Sequence, residues 1–208
     1  MSALRAFGST VVAACVIAAV PVTLSAQIGP SDVALGKSAF QSSTYNNPTF
    51  FGPECAVDGS TNGNCCVPPY MAIIDSSFQA WWYVDLGANY NISSITIWNR
   101  TDCCVFHTAN FFVSVLASGT PNLSSISAPT VWQTYNLGAF GTSATYTPPS
   151  GIVGQYVKVQ LDHTEYLQLA EVDVEGVTPT TTTPEPSSVV LLVTGLAGVV
   201  AIRRRRRA

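Results

Sequence analysis

Arg100-Thr101-Asp102-Cys103-Cys104 gathers a guanidinium, a carboxylate and two adjacent thiols in one short stretch, in a chain whose charged residues make up only 10% of the total. Such a set suits recognition of a small polyol. A monosaccharide offers hydroxyls, a ring oxygen and one apolar face, so its reader needs planar charged donors beside a flat apolar surface. Arg100 presents donors in a fixed fork. If the stretch continues a strand, residues two apart point to the same side, which lets Asp102 orient the guanidinium. Adjacent cysteines can also close an unusual ring disulfide. The competing reading is a solvated Arg100–Asp102 ion pair, which would contribute little.

The elements that must hold this stretch read as strands. Between Gln27 and Thr178 the punctuation is Gly, Pro, Asn and Ser, and no segment sustains a 3.6-residue apolar period over ten positions. Strand-like runs occur at 80–86, 92–98, 111–116, 131–137, 155–161 and 167–174. In the run from Tyr156 to Leu161, Val157, Val159 and Leu161 share one face while Lys158 and Gln160 take the other. Short alternating strands with turns between them predict an all-β antiparallel sandwich. Trp81, Trp82 and Trp98 are expected in its core.

Charge and targeting bound the function. The 208-residue chain has a formal net charge of −3, yet Arg5 and Arg203–Arg207 supply most of its basic residues. Residues 27–178 hold three basic residues against eleven acidic ones, a net of −8. A surface that acidic repels phosphate backbones, which argues against a nucleic-acid partner. Arg5, the apolar run from Val11 to Val20 and Leu24-Ser25-Ala26 form an export signal over 1–26. The apolar run continues past Cys15, against a lipoprotein reading. At the other end come a Thr-rich linker, Pro184-Glu185-Pro186, an apolar run to Ile202 and five arginines. A helix from Ser187 to Ile202 would span about 24 Å, short of a ~30 Å hydrocarbon core, so it needs arginine snorkelling or local thinning. The arginines place that end in the cytoplasm. Residues 178–186 are then a linker and 187–208 a membrane segment with a basic tail.

Two resemblances follow. The last 25 or so residues resemble the PEP-CTERM sorting signal of Gram-negative bacteria, having its proline-glutamate-proline motif, span and basic end in order. That implies an exosortase partner, cleavage near Pro186 and delivery to the cell surface or extracellular matrix. Residues 27–177 form the domain between the signals. There Leu35-Gly36-Lys37-Ser38, Ala56-Val57-Asp58-Gly59, Trp81-Trp82-Tyr83-Val84-Asp85-Leu86-Gly87, the Arg100 stretch and Leu169-Ala170-Glu171-Val172 follow one another as in F-type lectins, fucolectin-like members of the discoidin superfamily. The resemblance implies an eight-stranded jelly-roll sandwich whose end loops hold a glycan through Arg100, Asp102, Cys103, Cys104 and His107, with the vicinal disulfide against the sugar ring. It also implies structural Ca2+ held by Asp58 and Glu171 with backbone carbonyls of Cys55, Ser60 and Ala170, oxygen ligands that suit this ion. The competing reading makes Asp58 an Asx-turn residue and Glu171 a solvated strand residue.

Departures from the family pattern concern specificity. Ile73 stands where the family has a histidine, and His107 where it has Arg or Lys. His107 still donates from one ring nitrogen, and its protonation would make binding pH-sensitive; Ile73 cannot donate. Asp75, Tyr70 or Gln79 are candidate substitutes. The family's long-range disulfide positions are Met71 and Ala170 here, which points to a replacement bridge from Cys55 to Cys65 or Cys66. Five cysteines remain after the export signal, an odd number for an oxidising compartment. Zinc is disfavoured by the lack of a Cys-x-x-Cys spacing. Neither Gly-x-Ser-x-Gly nor His-Glu-x-x-His occurs, and the reading is a binding protein, not an enzyme. Two functions stay open. One is an exported lectin for fucose or a related sugar in surface or extracellular polysaccharide, with an oligomer compatible. The other is a structural matrix protein on a lectin scaffold with a degenerate sugar site.

Overall fold

The computed structural model describes residues 31–179 together with 194, 195 and 203. The export signal over 1–26, the cleavage point near Pro186 and, apart from Thr194 and Gly195, the span to Ile202 lie outside the described residues. Among the described residues no helix is long and apolar enough to cross a membrane.

Ten strands form among the described residues: β1 (Ser31–Asp32), β2 (Ser38–Gln41), β3 (Ala72–Phe78), β4 (Trp81–Trp98), β5 (Ala109–Leu116), β6 (Trp132–Ala139), β7 (Ser143–Tyr146), β8 (Val153–Leu161), β9 (Thr164–Leu169) and β10 (Glu171–Val177). Every pairing is antiparallel, as alternation predicts. Eight strands join in one hydrogen-bonded network, and β3 pairs with β9 as a separate ribbon. The expected strands at 80–86 and 92–98 are the two halves of β4. Its first half lies between β2 and β8, and its second half between β10 and β7. The turn from one partner set to the other comes where the β8 register shifts between Asp85 and Tyr90, with Gly87 at φ +80° supplying a conformation that costs other residues dearly.

Each half of β4 faces inward every second residue. Trp82, Val84 and Leu86 from one half and Ile95 and Ile97 from the other enter a single core with Phe111, Val113, Val157, Val159, Val172 and Val174. Both layers therefore close over one apolar interior. Trp82 is fully buried, and its Nε1 donates to Pro53 O at 3.0 Å. Trp98 is half-buried with Nε1 donating to Asp173 Oδ2 at 2.7 Å. Trp81 departs from expectation: it is half-buried outside the core clusters and stacks on Tyr83 at 5.5 Å.

Two further expectations change. The segment before Trp81 is partly strand: Asp75-Ser76-Ser77 hides β3 in the sequence, and its register with β9 breaks between Ile74 and Ser77. The run at 167–174 is two strands, because Ala170 leaves the β3 ribbon to donate its N–H to Trp98 O at 2.8 Å. That switch brings the ends of β4, β9 and β10 together. A short helix, α1 (Pro48–Phe51), capped by Asn47, and a 3-10 turn at Pro53–Ala56 cover the same end.

Candidate functional site

The segment after β4 is a loop, so the spacing argument for Arg100 and Asp102 on a strand does not apply. Asn99 makes the pair instead. It is buried, its N–H donates to Thr142 O, and its side-chain amide donates to Val105 O at 3.1 Å and Phe140 O at 3.3 Å. Its Oδ1 accepts the Arg100 N–H at 2.8 Å. The loop is thereby folded back on itself, and the guanidinium grips Asp102 through Nε to Oδ1 at 2.8 Å and one terminal nitrogen to Oδ2 at 3.0 Å. Arg100 and Asp102 side chains are 13% and 23% exposed. The hydrogen bond from Arg100 holds the Asp102 carboxyl at about 2, while the same contact pushes Arg100 above its ordinary value. Asp102 is thus an orienting group, and Arg100 keeps donors for something else.

A second loop presses against this one. Thr101 N–H donates to Gly63 O at 2.8 Å, and a Cβ on Gly63 would lie 2.6 Å from Thr101 Oγ1 and 2.7 Å from Asn99 O. Only glycine permits that approach. It delivers Cys65, whose N–H donates to Asp102 Oδ1 at 3.4 Å and whose Sγ receives Arg100 at 2.7 Å. Cys65 is buried with Met71, Ile73 and Ala170. Met71 and Ala170, the family's bridge positions, belong to that same buried cluster. The bridge expected from Cys55 does not form: Cys55 Sγ is directed at Phe50 O, and Cys55, Cys65 and Cys66 are all free thiols.

Cys103 and Cys104 are joined as a vicinal disulfide, with Cys104 at φ +59°. His107 follows, its N–H on Cys104 O at 3.1 Å. Its Nδ1 lies 2.9 Å from Glu165 Oε1, close enough to pair as charges when the imidazole is protonated. The two are out of line for a hydrogen bond, and Oε1 already accepts the Tyr166 N–H at 2.8 Å.

Arg100, Cys104 and His107 converge on a cavity of about 220 Å³ completed by Tyr45, Ile73, Tyr166 and Gln168. That volume lies below the roughly 300–1,000 Å³ of pockets for drug-sized ligands and suits a single small ring. Asp102 and Cys103 do not line the cavity. None of Asp75, Tyr70 and Gln79 lines it. Ile73 is 2% exposed and lies directly opposite Gln168 in the β3–β9 register. Gln168 is itself buried, pinned by its backbone to Thr108 Oγ1, and its Oε1 has no partner. An unpartnered buried acceptor is costly unless a ligand or water meets it. Tyr166 packs edge-on to both Tyr45 and His107, so part of the lining is aromatic. The lining offers the Arg100 guanidinium as a charged donor, Gln168 Oε1 as a buried acceptor and aromatic rings as apolar surface.

A second cluster lies where β10 begins. Glu171 is 0% exposed; its Oε1 accepts the Gly59 N–H at 3.1 Å and its Oε2 has no partner. It is therefore no solvated strand residue. Burial, reinforced by the charges of Asp58, Asp173 and Asp32, pushes its carboxyl up to about 8. Asp58 Oδ1 accepts the Ser60 N–H at 2.8 Å, closing an Asx turn that presents the Asp58 loop to Glu171. A buried carboxylate oxygen without a donor, beside further carboxylates, has the chemistry of a hard-cation ligand set.

Two segments of the chain match known families. A family model described as NedA-like, galactose-binding domain matches residues 55–159, and the PEP-CTERM protein-sorting motif matches residues 182–206. The chain is 34% identical over 127 residues to Fucolectin of Anguilla anguilla, covering 57% of this chain and 73% of that one. It spans 65% and 54% of the length of Fucolectin-5 and Fucolectin-3 of Anguilla japonica. Among solved structures, an F-lectin from Morone saxatilis serum superposes with a TM-score of 0.64 at 30% identity, covering 75% of this chain and 52% of that one. The fucose binding module SpX-3 of Streptococcus pneumoniae does so with a TM-score of 0.59 at 26% identity, covering 72% and 99%.

Proposed function

The chain belongs to the F-type lectins, with a domain of the NedA-like galactose-binding family and a PEP-CTERM sorting motif, and on that premise we propose that it is an exported lectin. It takes one sugar ring, fucose or a related sugar of surface or extracellular polysaccharide, into the cavity beneath Arg100. The observation that carries this reading is the pocket itself: a guanidinium held by Asp102, a vicinal disulfide, His107 and the unpartnered Gln168 Oε1 around one small cavity.

Each residue has a task in that binding. Arg100 donates to ring or hydroxyl oxygens, and its grip on Asp102 means little side-chain freedom is lost on binding. Gln168 Oε1 accepts a sugar hydroxyl. Cys104 and Tyr166 offer apolar surface to the sugar face. His107 donates from a ring nitrogen. Ile73 replaces polar contact with apolar contact at the base, so the preferred sugar presents a methyl or methine there. Loss of one charged or neutral donor costs about 0.5–3 kcal/mol, and Gln168 on the adjacent strand supplies a different partner.

Calcium is the structural cofactor in this proposal. Asp58 and Glu171 would hold it with the carbonyls of Cys55, Ser60 and Ala170, and the ion would supply the positive charge that Glu171 lacks. The lectin reading predicts binding on a glycan array by the full chain and its loss in Arg100→Ala. An array with no glycan bound between pH 5 and 8, with calcium and without it, would overturn that reading and leave a matrix scaffold. The sorting motif supports passage through the membrane and exosortase processing.

A further inference from the structure

Beside the pocket arginine lies a second pair of adjacent cysteines that sugar binding does not use. Cys65 and Cys66 have their Sγ atoms 2.9 Å apart, inside van der Waals contact for two sulfurs, with Cys65 buried and Cys66 exposed. Their loop is fixed from several sides. Asn62 Oδ1 accepts the Asn64 N–H at 3.1 Å, Asn64 Oδ1 accepts the Cys66 N–H at 3.0 Å, and Cys65 is anchored to Asp102 and packed on Met71 and Ile73.

Two sulfurs and the Asp102 carboxylate within reach of one another resemble a soft-metal site. The contacts argue otherwise. Arg100 already takes both Asp102 oxygens and points a nitrogen at Cys65 Sγ, so a cation placed there would meet a fixed positive charge. Oxidation adds no charge. We propose that Cys65 and Cys66 are a thiol–disulfide exchange site that closes into a second vicinal disulfide beside Arg100, with Cys66 as the attacking thiol and Cys65 as the resolving one.

The chemistry balances with a small organic disulfide as co-reactant. The Cys66 thiol loses its proton and attacks one sulfur of the organic disulfide; that S–S bond breaks, and a thiolate leaves with the bonding pair. Cys65 Sγ then loses its proton, attacks the Cys66 sulfur and expels the second thiolate. Two protein thiols are oxidised, one organic disulfide is reduced to two thiols, and the two protons go to those thiols. Exposure makes Cys66 the entry point. Burial and the hydrogen bond with Cys66 push the Cys65 thiol up to about 12, and the Arg100 charge works against that rise, as ring closure requires. Closure also removes the Cys65 S–H that lies 3.6 Å from Asp102 Oδ2, leaving that oxygen to Arg100. The redox state of the pair is thereby wired to the clamp behind the pocket, although the exchange itself does not depend on the sugar reading. Cys55 stays outside: its sulfur faces Phe50 O, and burial pushes its thiol up to about 11.

Peptide mapping tests this without a sugar. The full chain is treated with oxidised glutathione, its remaining thiols are alkylated, and it is cut before aspartates, which separates Cys55 from the peptide carrying Cys65 and Cys66. The expected wild-type peptide is two hydrogens lighter and unalkylated, while Cys55 is alkylated. Cys65→Ser should hold glutathione on Cys66 as a stable mixed disulfide. Cys66→Ser should leave Cys65 as a thiol that reacts about tenfold slower or less. Arg100→Met should let the mixed disulfide accumulate in place of the ring. Two alkylated thiols, a bridge from Cys55 to either cysteine, or a mixed disulfide persisting in the wild type would each overturn the proposal.

Discussion

Asp102 and Glu171 are carboxylates held in opposite ways. Asp102 sits at the rim with its charge met by Arg100, and its carboxyl falls to about 2. Glu171 is sealed under the start of β10 with one oxygen unpartnered and other acids nearby, and its carboxyl rises to about 8. One site brings its own counter-charge and spends it on holding an arginine in place. The other leaves Glu171 Oε2 without a partner among the described residues. The lesson is that a charged group's partner, more than its burial, separates a finished binding tool from a ligand set.

Experiments that break this contrast should be largest at Glu171. Because its folded value lies above the ordinary 4.5, the folded chain keeps a proton that the unfolded chain releases between about pH 4.5 and 8. Stability of chelator-treated protein should therefore fall as pH rises through that window, by up to about 1.4 kcal/mol per unit. Calcium at a hundredfold excess over its Kd should restore about 2.7 kcal/mol, read as a rise in Tm of several degrees. Glu171→Gln should flatten the pH slope and abolish the calcium response. A chelated wild type whose Tm is unchanged from pH 5 to 8 would sink this picture.

At the rim the effects concern affinity. Arg100→Ala should weaken glycan binding about 10- to 100-fold, by titration calorimetry, since bonds from a charged donor contribute about 1.5–3 kcal/mol. Ile73→His, which puts a donor back opposite Gln168, should shift preference toward fucose by about tenfold, or 1.4 kcal/mol; an unchanged array profile would show that Ile73 does not set specificity. The smallest effect is acid titration of Asp102. Its folded value is depressed, so the pair's contribution is present above about pH 4 and lost as pH falls toward 2. Screening at a partly exposed pair limits it to about 1 kcal/mol, and Asp102→Asn should remove that part of the acid transition.

What could be read from the chain without coordinates follows contact range. Arg100, Asp102, Cys103, Cys104 and His107 lie in one stretch, and their chemistry announces itself. Tyr166 and Gln168 reach the same cavity on the β3–β9 ribbon, whose first strand is masked by Asp75-Ser76-Ser77 and whose pairing spans most of the domain, and Tyr45 joins them from the loop after β2 by donating its N–H to Ile73 O. Cys65 arrives through the Gly63 contact, which no local pattern records. Asn99 is visible in the sequence only as a glycosylation pattern, Asn99-Arg100-Thr101, yet its amide is buried and fully engaged in shaping the loop. The alternation that marks β4 is robust because one of its faces is sealed in the core, whereas β8 is buried on both faces, Lys158 and Gln160 included. The rim has no such period, and its geometry rests on single polar contacts.

The double membership of β4 has a mechanical consequence. Tension applied beyond Val177, where the chain leads toward the sorting segment, enters along β10 and is carried in shear by seven register pairs with β4. From there β4 hands the load to β8 in the other layer. The layers cannot be peeled apart one at a time, so a lectin tethered by this end would resist pulling as one body while the Arg100 loop, anchored through Asn99 outside that line of force, keeps its shape.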